Sequence, residues 1–326
     1  MPSADKVTVL YVLDVKDAKD DDKLDVSGRV AVGSVVKGGL QTLIEHQERP
    51  DGIEVISEGD GHLIWTQMGI PNKNDGHIQC SDLDGKNIRD VYAPGEIHTP
   101  KQCSVDVINH KFYVCDREGM RVHRSNLDGS EKEVLIRRGD YNNPEHVSDK
   151  TRHCVGICVD QKRGKFYWTQ KGTSKGGKGF IYRANITMPP GKNADTRDDI
   201  ETLFRNLPEP IDLEINPETQ TLYWTDRGAE PKGNTLNKAD ISGDFSSSTE
   251  NRDYQVLGEH LHEAIGLKVD EVNKHIYVSD LGGSIYRYGL EGGKPENLFE
   301  GEGVYTGLAL ARLEKSRAKA MFGFDA

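Results

Sequence analysis

Arg117 and Arg227 each follow an aspartate directly, as Asp116-Arg117 and Asp226-Arg227. A guanidinium on a partly dry surface stabilises charge developing on an oxygen, and one such bond is worth roughly 2.7–4 kcal/mol in a transition state. The bland alternative is an ion pair with the neighbouring acid, which contributes little when exposed. His46, His98, His146, His153, His260 and His262 fall in segments between candidate strands. With an ordinary pKa of about 6.5 they can serve as general acids or bases, or stand as ordinary loop residues. Gln67 and Gln170 close two aromatic segments where other copies carry Asp, and Met68 and Tyr305 offer apolar contact beside them.

Other chemistries lack their parts. Cys154 and Cys158 lie four apart with no second pair at zinc spacing, and five cysteines in 326 residues make no disulfide framework. The acidic run Asp14 to Asp25 lacks the Gly and closing Glu of a calcium loop. The stretch from Lys171 to Gly179 resembles a phosphate cradle in composition but not in order, and it leads into a strand rather than a helix. No H-E-x-x-H occurs. The expectation is therefore a chain that needs neither metal nor cofactor.

A net charge of −11, from 42 Lys and Arg against 53 Asp and Glu, argues against nucleic acid as a partner. No apolar run is long enough to span a membrane. The amino terminus, MPSADKVTVLYVLDV, has no leader-like apolar stretch, so a native start there implies a cytoplasmic protein. A trimmed leader would look the same, and the sequon Asn185-Ile186-Thr187 is compatible with secretion.

The elements that must position these side chains are set by an internal repeat. Six segments align: Tyr11-Val12-Leu13-Asp14, Ile64-Trp65-Thr66-Gln67, Tyr113-Val114-Cys115-Asp116, Tyr167-Trp168-Thr169-Gln170, Tyr223-Trp224-Thr225-Asp226 and Tyr277-Val278-Ser279-Asp280. Their starts lie 53, 49, 54, 56 and 54 residues apart, a period that points to propeller blades. Apolar-x-apolar triplets precede five of them: Ile53-Glu54-Val55, Val105-Asp106-Val107, Ile157-Cys158-Val159, Ile211-Asp212-Leu213 and Leu267-Lys268-Val269. The sixth triplet, Leu308-Ala309-Leu310, has its aromatic partner at the amino terminus, so the last strand closes the ring. Leu83-Asp84-Gly85 and Leu127-Asp128-Gly129 supply outer hairpin turns. The fold expected is an all-β, six-bladed β-propeller. Blade 1 takes residues 6–46 plus 304–312, and blades 2 to 6 take 52–93, 103–137, 155–205, 210–257 and 265–300. On this alignment Glu54, Asp106, Cys158, Asp212, Lys268 and Ala309 face the channel, where carboxylates and one ammonium tune or neutralise one another.

The copies Tyr223-Trp224-Thr225-Asp226 and Tyr167-Trp168-Thr169-Gln170, with Asn126-Leu127-Asp128-Gly129, resemble the YWTD propellers of lipoprotein-receptor ectodomains over residues 6–312. The chain departs from the receptors in lacking EGF-like flanks and in its longer, charged loops 14–27 and 139–153. It looks more like the stand-alone fungal members, some of which are hetero-Diels–Alderases of tropolonic sesquiterpenoid biosynthesis. That resemblance implies a cofactor-free cycloaddition between an electron-poor enone or quinone methide and a terpenoid alkene. A protein-binding propeller without catalysis is the alternative.

Either function belongs at the mouth of the channel, where loops from several blades converge. The candidate site comprises Arg117, Arg227 and His262 as catalytic groups, with Gln67, Met68, His98, Gln170 and Tyr305 binding an apolar small molecule. Lys101, Lys171 and Lys175 lie in the same sets of loops.

Overall fold

In the computed structural model, residues 5–16, 22–36, 39–57, 59–243, 253–301 and 303–324 are described. They form six four-stranded antiparallel sheets in a six-bladed propeller. The acidic run Asp14 to Asp25 falls partly outside the described residues. From the channel outward, blade 1 begins with Tyr305–Glu314 and then Lys6–Asp14. The corresponding pairs are Pro50–Ile56 and His62–Gln67 in blade 2, and Pro100–Asp106 and Lys111–Asp116 in blade 3. Blade 4 has Cys154–Asp160 and Lys165–Gln170, blade 5 Pro210–Asn216 and Thr221–Asp226, and blade 6 Ala264–Asp270 and His275–Asp280.

The ring closes through the last strand. Val9 faces Ala311, Leu10 faces Leu310 and Tyr11 faces Ala309, so the inner edge of Lys6–Asp14 is paired by the end of the chain. The helix Lys315–Phe322, which the repeat gave no sign of, follows at once. It buries Ala318 and Phe322 in the blade 1 core, with Phe322 edge-on to Tyr11 at 6.2 Å between ring centroids.

Each letter of the aromatic repeat has a packing reason. The rings of Tyr11, Trp65, Tyr113, Trp168, Trp224 and Tyr277 are fully buried among the blades. The hydroxyl at the third position of the repeat pins adjacent blades together in four of the six copies. Gly52 donates its N–H to Thr66 Oγ1 at 2.8 Å, while that hydroxyl donates to the Lys101 carbonyl of blade 3 at 2.9 Å. Thr169 joins Gly156 to Ile211 of blade 5, Thr225 joins Asp212 to Ile265 of blade 6, and Ser279 joins Gly266 to Thr306 of blade 1. The inner strands are so close here that a Cβ on Gly156 would lie 2.1 Å from the Ile211 carbonyl oxygen.

The final acid or amide holds the chain entering its blade. Asp116 accepts from the N–H groups of His98 and Thr99, Asp226 from Glu209, Asp280 from His262, and Asp14 from Val304. Gln67 does the same for Glu48 at 2.7 Å. Burial opposes the charge on Asp116, but His123 and Arg121 beside it hold its carboxyl well below the usual range.

Every inner strand carries a bulge before its apolar triplet. In blade 2, Pro50 faces Gln67 and Ile53 faces Trp65, three residues against two. The same step occurs between Pro100 and Cys103, Cys154 and Ile157, Pro210 and Leu213, and Ala264 and Leu267. This register corrects the channel-lining set in two blades. Glu54, Cys158, Lys268 and Ala309 share a level, but the equivalents in blades 3 and 5 are Ser104 and Glu214. Asp106 lies at the turn instead, accepting from the Asn109 N–H at 2.9 Å. Asp212 lies two residues nearer the mouth, bonded to the Leu267 N–H at 3.0 Å. Overlapping apolar-x-apolar frames in those two strands produced the shift.

Candidate functional site

The residue after each repeat acid occupies one position in all six blades: Val15, Met68, Arg117, Lys171, Arg227 and Leu281. One backbone bond fixes each of them. Their N–H groups donate to the carbonyls of Val304, Arg49, Thr99, His153, Glu209 and Glu263, at 3.0–3.3 Å. The result is a rim of six equivalent residues. Blades 3, 4 and 5 contribute three consecutive cations, and blades 6, 1 and 2 contribute three apolar side chains.

The cationic arc is built on buried acids. Arg117 Nε donates to both Glu118 carboxylate oxygens, at 2.6 and 2.7 Å. Glu209, with no exposed side-chain surface, receives Lys171 Nζ at 3.0 Å and Arg227 Nε at 2.9 Å. Ser174 Oγ and the Lys175 N–H also donate to Glu209. The loop whose composition resembles a phosphate cradle thus cradles a carboxylate of its own chain. Gly172 to Gly176 also has the letters of a nucleophile elbow, but it joins two strands and its Ser174 hydroxyl is given to Glu209. Burial opposes the charge on Glu209, yet Arg227 and Lys171 hold its carboxyl below the usual range.

Lys101 lies beneath this arc, ion-paired with Asp51, with its Nζ 3.3 Å from Met68 Sδ. Gln102 bonds the second Asp51 oxygen at 2.9 Å. Burial, joined by the charges of Arg117 and Arg227, pushes Lys101 down to about 8 against the pull of Asp51. Arg227 and Arg117 also depress Lys171, after burial, so these cations from three blades feel one another across a shared mouth. His153 is buried nearby. Burial lowers it to about 3, which keeps the ring neutral at physiological pH, and its Nδ1 has no hydrogen-bond partner among the described residues.

The floor is apolar. Val155, Ile211 and Ile265, from the inner strands of blades 4, 5 and 6, pack together and carry Leu281 of the rim. Farther down, Lys268 crosses to Glu54 of blade 2 at 2.7 Å and pairs with Glu214 of blade 5. Burial pushes the Asp212 carboxyl up to about 8, despite Lys268.

The expected site residues separate into two groups. Arg117, Arg227 and Met68 are on the rim, joined by Lys171 and Lys101. Gln67 and Gln170 are buried and used by the fold: Gln67 Nε2 donates to Gln47 and Gln79, and Gln170 Nε2 to the Thr151 carbonyl. Tyr305 is not at the mouth. It is fully buried between blades 6 and 1, with Tyr277, Phe299 and Leu308, because it begins the closing strand. His98 is covered by Tyr141, edge-on at 5.0 Å, and its Nδ1 is 2.9 Å from Thr99 Oγ1. His262 is exposed, its Nδ1 3.7 Å from Asp280 Oδ2. Asp51, Glu118 and Glu209 are the site residues that the sequence reading lacks. Their only signal was position, since Glu209 precedes an inner strand and Glu118 follows a rim residue.

Among the described residues no group of three or more His, Cys, Asp or Glu is placed to hold a metal. No described helix is long and apolar enough to cross a membrane.

No family model matches the chain. It is 45% identical over 277 residues to the 3-hydroxyacyl-CoA dehydrogenase-like protein LAM1 of Cochliobolus heterostrophus, covering 83% of this chain and 58% of that protein. The chain thus spans little more than half of that relative. It is also similar to a Pyricularia oryzae protein named low-density lipoprotein receptor-related protein 1, at 40% identity over 311 residues, 92% of this chain and 97% of that one. Among solved structures, the nidogen/laminin complex contains a chain with a TM-score of 0.68 at 16% identity, covering 93% of this chain and 98% of that chain. That likeness reaches the propeller fold alone. Identity at this level over almost the whole Pyricularia protein, together with the YWTD repeat and the closed six-bladed ring, places the chain in a family of fungal YWTD-type β-propellers.

Proposed function

We propose that the protein is a cofactor-independent cyclase that joins an electron-poor enone or quinone methide to a terpenoid alkene at the channel mouth. The observation that carries this reading is the convergence of Arg117, Lys171 and Arg227 over Lys101, four cations from three blades above an apolar floor. In a hetero-Diels–Alder addition, the enone oxygen and its terminal carbon each form one σ bond to the alkene. The π bonds rearrange, no atom leaves, and no electron or proton is exchanged with a cofactor. The protein's contribution is then proximity plus polarisation of the oxygen. Arg117 and Arg227 are held by Glu118 and Glu209, so their charges are fixed before the ligand arrives. Such preorganisation makes a charge-assisted bond effective as density builds on the oxygen.

A protein-binding role is the second reading, favoured by the carboxylate pairing of Arg117, Lys171 and Arg227, which suits a charged rim meeting a complementary surface. The two readings separate in a fungal strain with and without the gene, compared by untargeted mass spectrometry. The cyclase reading expects one cycloadduct to fall with the gene while its enone precursor, or its water adduct, accumulates. An unchanged metabolite profile would count against it.

A further inference from the structure

The proposed reading leaves three rim residues unused. Val15, Met68 and Leu281 occupy the positions equivalent to the three cations, and they are consecutive around the ring in blades 1, 2 and 6. Val15 and Met68 are buried, and Leu281 is packed on Val155, Ile211 and Ile265. The apolar surface therefore runs unbroken from the floor up the blade 6 side of the mouth. The opposite side carries Arg117, Lys171 and Arg227. Counting Lys101, four cations face three carboxylates, Asp51, Glu118 and Glu209, while His153 is neutral. These four cations outnumber the three carboxylates that pair with them, in a chain whose net charge is −11.

From this two-sided rim we infer that the site takes a two-ended ligand in one orientation. An anionic or electron-rich oxygen lies against Arg117 and Arg227, and a hydrocarbon body lies along the floor toward Leu281 and Met68. This inference rests on the reading that the mouth is the ligand site, and it assigns Leu281 and Met68 as the residues that select the hydrocarbon. A uniformly charged rim would repel that body by requiring desolvation of paired ions. A uniformly apolar one would leave the oxygen without a donor. The arrangement present avoids both costs.

The test needs no substrate. The probe is 8-anilinonaphthalene-1-sulfonate, an aromatic anion, paired with N-phenyl-1-naphthylamine, the same skeleton without the sulfonate. Fluorescence titration of the wild type should give tighter binding of the anion. Arg117→Gln should weaken the anion about tenfold, the worth of one hydrogen bond to a charged group, and move the neutral probe less than about twofold. Leu281→Asn should weaken both probes about equally. Arg227→Lys, which keeps the charge facing Glu209, supplies a second cationic variant if the first is poorly folded, and it should weaken the anion selectively. Equal affinity for the two probes, or charge variants that leave the anion unmoved, would overturn the orientation. Because the readout is binding, its failure is separable from failure of the cyclase reading. A protein that turns over enone and alkene but shows no probe selectivity loses only the orientation, and the reverse result loses only the chemistry.

Discussion

At Asp212 the chain keeps a carboxyl where four of the six blades have glycine, at Gly52, Gly156, Gly266 and Gly307. The strands crowd together there, and Asp212 fits because its oxygens accept the N–H groups of Leu213 and Leu267. Burial lifts its pKa from 3.8 to about 8. The folded protein therefore holds a proton that the unfolded chain has released between those limits. The sign follows: this contribution to stability is complete below the unfolded pKa and is lost as pH rises through about 8. Asp226, lifted by burial to about 7, acts in the same sense. Stability should accordingly fall from about pH 5 to 7, and Asp212→Asn should flatten that fall by up to about 1.4 kcal/mol per pH unit. Urea unfolding of both proteins across that range checks it. An identical slope in wild type and variant would remove Asp212 from the account.

At the scale of elements, the inner strands do more than line a tunnel. Lys268 reaches past blade 1 to Glu54 of blade 2 while holding Glu214 of blade 5, so one ammonium ties three blades across the axis. Burial opposes its charge, but Glu214 and Glu54 hold it well above the ordinary lysine range. Lys268→Met leaves two largely buried carboxylates facing each other and should cost about 3–5 kcal/mol. The triple variant Lys268→Met, Glu54→Gln, Glu214→Gln should regain most of that loss. Denaturant midpoints of the two variants decide the matter, and equal loss in both would mean that packing, not charge, sets the cost. The six blades and the closing strand were legible in the sequence because aromatic rings and a hydroxyl recur at a near-constant period. The channel set was legible only in part. A bulge in each inner strand changes which alternate residues face inward, and an apolar-x-apolar triplet occurs in two frames around Asp106 and Asp212. The helix Lys315–Phe322 has no counterpart in the repeat, so a periodic reading had nothing to find it by. Arg117, Arg227 and Met68 followed from their place after the repeat acids. Tyr305, Gln67 and Gln170 were assigned to the mouth by loop proximity, and burial draws them into the packing between blades.

For the molecule as a whole, the propeller separates what must be stable from what is free to vary. Hydroxyl bridges and buried rings repeat around the ring, whereas the rim position shares one backbone N–H bond in all six blades and differs in its side chain. Three cations in sequence stand beside three apolar residues, each set anchored by its own pairing or packing. Below the rim stand the Val155, Ile211 and Ile265 cluster and, farther down, the Lys268 pairs. The most direct measurement is the rate of cycloadduct formation from an isolable enone and a cyclic polyene, with and without purified protein, by chiral chromatography. The account predicts one enantiomer formed at least about 10³-fold faster than the spontaneous racemate, with Arg117→Ala losing about 10²–10³ of that acceleration while melting within a few degrees of the wild type. A racemic product at the uncatalysed rate, or full acceleration by the Arg117→Ala protein, would contradict it.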